Sequence, residues 1–188
     1  YAFTNEWIRH EISSNGGWEP LPSHYEAEEG QLVVEDNFCM MNILTSKVNG
    51  KTLDHHMKNI YRIAYYFSCC GCYRYEPGSR VSLSGTPLNE ALISLHQILP
   101  KFQSENKLQK VQCVVLTDGE AGFLNRHATV TDYKGEERIG TRRLIAERTF
   151  VRDRKTGNTY QVKYSYTEFT DILLKNLKDN FTDMNLIG

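Results

Sequence analysis

The 188 residues include 22 lysines and arginines against 23 acids, a formal charge of −1, with 40% hydrophobic and 24% charged residues. That fits one ordinary globular domain and argues against disorder, a fibrous chain or the basic footprint of a nucleic-acid-binding domain. No apolar run approaches the roughly 20 residues that span a bilayer, and five cysteines are too few and too odd in number for a disulfide scaffold, which points to the cytoplasm.

The chain opens on Tyr1-Ala2-Phe3 without an initiator methionine and closes on the apolar run Met184–Gly188. Both ends read as strands cut from a longer domain. From about residue 13 to 36 the chain makes an acidic excursion: Glu19, Glu26, Glu28, Glu29, Glu35 and Asp36 stand among prolines and glycines without a basic partner. A solvated loop is the simple reading, and a surface for a basic partner the sharper one. Residues 37–46 read as a short helix ended by Asn49-Gly50. A second helix is expected over 53–67, with Met57, Ile60, Ala64 and Phe67 facing the core.

The clearest helix spans Pro87 to Phe102, where Leu88, Ala91, Leu92, Leu95, Ile98, Leu99 and Phe102 keep the spacing of a buried stripe. Thr86 stands where an N-cap belongs and Pro87 in the first turn. After a polar linker over 103–110, the run Val111–Leu116 reads as a strand buried on both faces, as in a parallel sheet. It ends in the turn Thr117-Asp118-Gly119-Glu120. A basic insertion covers about 126–163. Between Asp132 and Lys155 eight basic residues meet five acids, and a hairpin is expected with arms 149–152 and 159–162. It reads as a solvated insertion, or as a surface for an anionic partner. An amphipathic helix from Tyr166 to Phe181 precedes the last strand. Strands alternating with helices predict an α/β fold with a mostly parallel sheet.

Ser84-Gly85-Thr86 puts a hydroxyl at a helix start, and Asp118 puts a carboxylate at a strand's carboxyl end, where open α/β sheets bind ligands. Both are hard oxygen donors suited to partly hydrated magnesium. The run Gly85-Thr86-Pro87-Leu88-Asn89-Glu90-Ala91-Leu92, followed by a strand ending Leu116-Thr117-Asp118-Gly119-Glu120, resembles a von Willebrand factor A-type domain. The cobaltochelatase-T-like subgroup, including versions from large tailed phages, is the nearest likeness. The resemblance implies a single partial domain over 1–188, with a Rossmann-like, mostly parallel sheet flanked by helices. Its first strand and helix would be missing and a β-hairpin inserted. It implies a metal-ion-dependent adhesion site whose threonine is Thr86 and whose aspartate is Asp118, with Ser84, Glu120 and His127 as lining residues. No Asp-x-Ser-x-Ser loop occurs in the chain, so Mg²⁺ would be held weakly or not at all.

The implied function is metal-dependent protein binding, in which a partner's acidic side chain completes the ion's shell. The implied partner is a ring-forming ATPase of the chelatase type. The alternative is an accessory subunit of a cobalt or magnesium chelatase acting on a tetrapyrrole. No Gly-x-Ser-x-Gly elbow, phosphate loop or His-Glu-x-x-His is present, so no intrinsic catalysis is expected. A rival metal site is zinc on Cys69, Cys70 and Cys72, with His55, His56 or Cys39 as fourth ligand, against the simpler reading of structural cysteines.

Overall fold

The computed structural model describes residues 1–5, 10–12, 18–20, 26–35, 37–68, 86–117, 119–163 and 166–187. The chain divides into two compact units, Tyr1–Pro22 with Asp36–Gly85, and Ser23–Glu35 with Thr86–Gly188.

In the first unit β1 (Ala2–Asn5) pairs antiparallel with β4 (Phe38–Met41), Thr4 standing opposite Cys39, while β2 (His10–Ile12) pairs with β3 (Trp18–Pro20). The helix expected over 37–46 is therefore a strand at its start. Phe38-Cys39-Met40-Met41 is apolar without helical period, and pairing with a distant segment decides its state. Asn49 does not end a helix but begins one. Its Oδ1 accepts the Thr52 N–H at 2.9 Å, the bond of an N-cap, and α1 runs from Gly50 to Ser68. No residue of α1 is buried: of the expected core-facing stripe Met57 is 52% exposed and Ala64 exposed, while Ile60 and Phe67 are half-buried.

The second unit holds the core. Helix α2 (Leu88–Asn106) contributes Leu88, Ala91, Leu92 and Leu99, and α3 (Tyr166–Asn180), packed against it, contributes Phe169, Ile172, Leu173 and Leu177. Leu124 and Val162 complete the deepest layer. Helix α2 continues past Phe102, taking in the first residues of the expected linker, and ends at Lys107 in the left-handed region. Strand β5 (Val111–Val114) pairs parallel with β10 (Met184–Ile187).

Between them lie two antiparallel hairpins, β6 (Asn125–Thr131) with β7 (Glu137–Arg143), and β8 (Phe150–Arg152) with β9 (Thr159–Gln161). In the β8–β9 turn Gly157 takes φ +77°, a conformation costly for other residues. Asp153 Oδ1 accepts the N–H groups of Lys155 and Thr156. Its Oδ2 accepts from Asn176, at 2.7 Å, and from Asn180, clasping the hairpin to α3. Burial pushes the Asp153 carboxyl up, but the bonds from Asn180, Asn176 and the two backbone groups outweigh it and hold it well below the usual carboxylate range.

The expected Rossmann-like, mostly parallel sheet is not present among the described residues. There are five two-stranded sheets, four antiparallel, and β5–β10 alone is parallel. The expectation rested on strands alternating with helices, on the loop resemblance, and on Val111–Leu116 as a strand buried on both faces. Instead Val114 is 57% and Leu116 84% exposed. Both strand pairings that lie between β5 and β10 in the chain close locally as hairpins, which need no helical crossover, so among the described residues no wide parallel sheet forms around β5.

The acidic excursion and the basic insertion meet. Gly30 N–H donates to His127 O and His127 N–H to Gln31 O, both at 2.8 Å, and Val33 N–H donates to Asn125 O. Residues 30–33 thus extend the β6 edge. Glu28 pairs with Arg154 at 3.3 Å, and Glu29 accepts from Thr129 Oγ1. This part of the excursion is a wall of the second unit rather than a free loop.

Candidate functional site

The two loops singled out by sequence converge at one point. A Cβ built on Gly119 would stand 2.6 Å from Thr86 Oγ1, closer than real contacts allow, so the turn after β5 lies directly against the Thr86 hydroxyl. Any larger residue here would force the Thr86 side chain to shift. The turn is tightened by Thr117, whose hydroxyl donates to Gly119 O at 3.1 Å and accepts the Gly119 N–H. Asp118 and Ser84 lie outside the described residues, as do Cys69, Cys70 and Cys72.

Thr86 is half-buried and makes no N-cap bond with its side chain. Pro87 occupies the N-cap position, and Thr86 contributes its carbonyl, which accepts the Leu88 N–H at 2.8 Å. The expected cap is thus corrected, and the hydroxyl is directed to the turn. Glu120 is exposed on the same loop. His127 is buried in β6, its backbone C=O accepting from Gly30 and its N–H donating to Gln31. His96, on α2, packs its ring on Phe181, and burial lowers its basicity against the opposing pull of Asp153 and Asn176.

Asn89 is the residue that sequence reasoning missed. It is 2% exposed, its Nδ2 donates to Gly122 O at 2.9 Å, and its Oδ1 accepts from Thr170 Oγ1 at 3.0 Å. One amide therefore joins the start of α2 to the loop beyond Gly119 and to α3. The one signal in the sequence is a polar residue between Leu88 and the Ala91-Leu92 pair.

Glu90, in the first turn of α2, gives the region its electrostatic character. Burial pushes its carboxyl above the ordinary glutamate value, its own backbone hydrogen bond opposes this, and the Glu35 charge adds to the rise. A raised value means that the folded chain holds the proton more readily than the unfolded one. Stability then falls as pH climbs from the unfolded value through the folded one. Glu90→Gln should therefore be more stable than the parent at neutral pH and level with it below about pH 4. Urea midpoints at the two pH values check this, and a difference independent of pH would reject it.

Among the described residues no group of three or more His, Cys, Asp or Glu side chains is placed to hold a metal ion, and no helix is long and apolar enough to cross a membrane. His55 is exposed on α1, while His56 Nδ1 is buried without a hydrogen-bond partner. Compared with known proteins, the chain matches no family model, and no curated protein and no solved structure matches it.

Proposed function

We propose that the chain is a protein-binding module centred on Thr86 and the turn Thr117–Glu120, with the Thr86 hydroxyl and the Asp118 carboxylate holding a Mg²⁺ ion. The observation that supports it is the approach of Gly119 to Thr86 Oγ1, which brings the hydroxyl to the turn that carries Asp118. Hydroxyl and carboxylate oxygens suit magnesium, which keeps several waters. With no further cluster of ligating side chains among the described residues, binding by the chain alone should be weak. When bound, the ion offers an open position to a carboxylate of the partner, so that it bridges two proteins. The loop resemblance makes a ring ATPase of the chelatase type the partner to try first, in the cytoplasm, where a free thiol such as Cys113 stays reduced.

Paramagnetic Mn²⁺, standing in for Mg²⁺, tests the site without a partner. The amide resonances of Thr117, Gly119 and Glu120 should broaden first, and Asp118→Ala should abolish the effect while the remaining spectrum stays folded. Broadening that survives Asp118→Ala, or that begins elsewhere, would sink the proposal.

The close approach gives a sharper check on the geometry. Gly119→Ala should cost about 1–2 kcal/mol, because the new methyl group displaces the stiff, β-branched Thr86 side chain. In a Thr86→Ala background, which removes the hydroxyl it meets, the same change should cost close to nothing. Urea unfolding of the four proteins in this cycle measures the coupling, and additive costs would show that the two residues do not touch.

A further inference from the structure

The basic insertion contains a groove of about 330 Å³ between residues 30–32 and β8, into which Arg126, Arg152 and Arg154 are gathered around Leu32, Phe150 and Val151. Arg154 is paired with Glu28 at the surface. Neither Arg126 nor Arg152 has a carboxylate partner among the described residues. Phe150 beside them is 59% exposed.

The groove also borders an open strand edge. Val162 N–H donates to Thr149 O, and Asp153 N–H to Asn158 O, so residues 149, 151 and 153 turn their backbone groups to β9. The alternation of an antiparallel ladder then directs those of Phe150 and Arg152 the other way. No backbone hydrogen bond between elements takes them up among the described residues.

We propose that this groove binds an extended acidic peptide segment of a partner protein, added as a strand along β8. Main-chain hydrogen bonds from Phe150 and Arg152 hold the backbone, and acidic side chains at alternate positions, roughly 6.6 Å apart, meet Arg126 and Arg152. Guanidinium groups suit this role because their planar fork matches a carboxylate. An apolar residue of the peptide rests on Phe150. A peptide fits better than a nucleic acid, since an open strand edge is a peptide's own recognition surface.

The probe is a capped peptide of alternating glutamate and valine, titrated into the isotope-labelled chain, with an alternating lysine and valine peptide and a short oligothymidine as comparisons. The glutamate peptide should shift the amide resonances of Phe150, Arg152 and Leu32 at millimolar concentration. Arg126→Gln with Arg152→Gln should weaken it at least tenfold while the thermal midpoint is kept, and N-methylation of the peptide's pairing amides should do the same. Equal binding of the lysine peptide, tighter binding of the oligothymidine, binding unaffected by the arginine changes, or no shifts at all would overturn the proposal. A dimer that these arginine changes dissociate would overturn it in favour of a second copy.

Discussion

Leu92→Ala is expected to lower the unfolding free energy by about 3–4 kcal/mol, the cost of removing buried methylene groups plus the cavity they leave. Leu92 is 1% exposed on α2, which packs on α3, and with Leu124 and Val162 it is among the largest fully buried side chains. Helical backbone on both sides of the contact limits how far the site can collapse. The urea midpoint should fall with little change in slope, since the surface exposed on unfolding is nearly the same. Leu116→Ala is the matched comparison. At 84% exposure it should lie within about 0.5 kcal/mol of the parent. Reading the sequence alone reverses part of this contrast, because Leu116 ends an apolar run that looks like the interior of a parallel sheet. Similar costs for the two leucines would place the core elsewhere.

The helices were legible where one periodic stripe extends over several turns. Helices α1, α2 and α3 lie close to where spacing put them, because local period alone specifies a helix. Period does not say what covers the stripe, and no residue of α1 is fully buried. The β8–β9 hairpin was legible from its β-prone arms and Gly157, and β10 from its apolar run. β4 and the β6–β7 pair were not. Phe38–Met41 became β4 through pairing with the chain's start, and β6–β7 went unseen because Asn125–Thr131 and Glu137–Arg143 are polar and β7 is almost wholly exposed. The Gly135 turn, at φ +85° with Asp132 Oδ1 accepting from Lys134 and Glu136, was its one local sign. Charge proved more informative than a solvated-loop reading allowed. Glu26, Glu28, Glu29 and Glu35 of the excursion lie in the same unit as the arginines of the insertion, and Glu28 meets Arg154.

The site was half legible. Thr86 and the Thr117–Glu120 turn were picked out as loops that share a crevice, and Gly119 stands against Thr86. The route by which they come together differs from the one expected, since among the described residues no broad parallel sheet aligns a strand end with a helix start. Asn89 supplies a different link. Its amide joins Gly122, three residues past Gly119, to the first turn of α2, three residues past Thr86. The placement of one loop against the other therefore depends on a buried hydrogen bond, and sequence periodicity carries no information about it.

Asn89→Ala should consequently act on stability and on the site together. The change strands Gly122 O and the Thr170 hydroxyl, and unsatisfied buried groups of this kind cost about 1–3 kcal/mol each. Water that enters the space left by the amide can return part of this, so a loss of about 2–3 kcal/mol is expected in urea unfolding. Asn89→Leu fills the volume but strands the same two groups, so it should be no better than alanine, whereas a residue valued only for packing would be rescued by leucine. The second readout is local. In Asn89→Ala at a temperature where the chain remains folded, amide exchange should accelerate at Gly119, Glu120 and Gly122 before it does in α3. Mn²⁺ broadening at Gly119 should weaken with it, because the turn no longer rests on Thr86. Leu92→Ala separates the two effects: it should cost more stability yet leave Mn²⁺ broadening in place, since Leu92 lies in the core and touches neither loop's hydrogen bonds. If Leu92→Ala and Asn89→Ala reduced the broadening in proportion to their loss of stability, Asn89 would be a core residue like any other, and the positioning role argued from its two hydrogen bonds would fall.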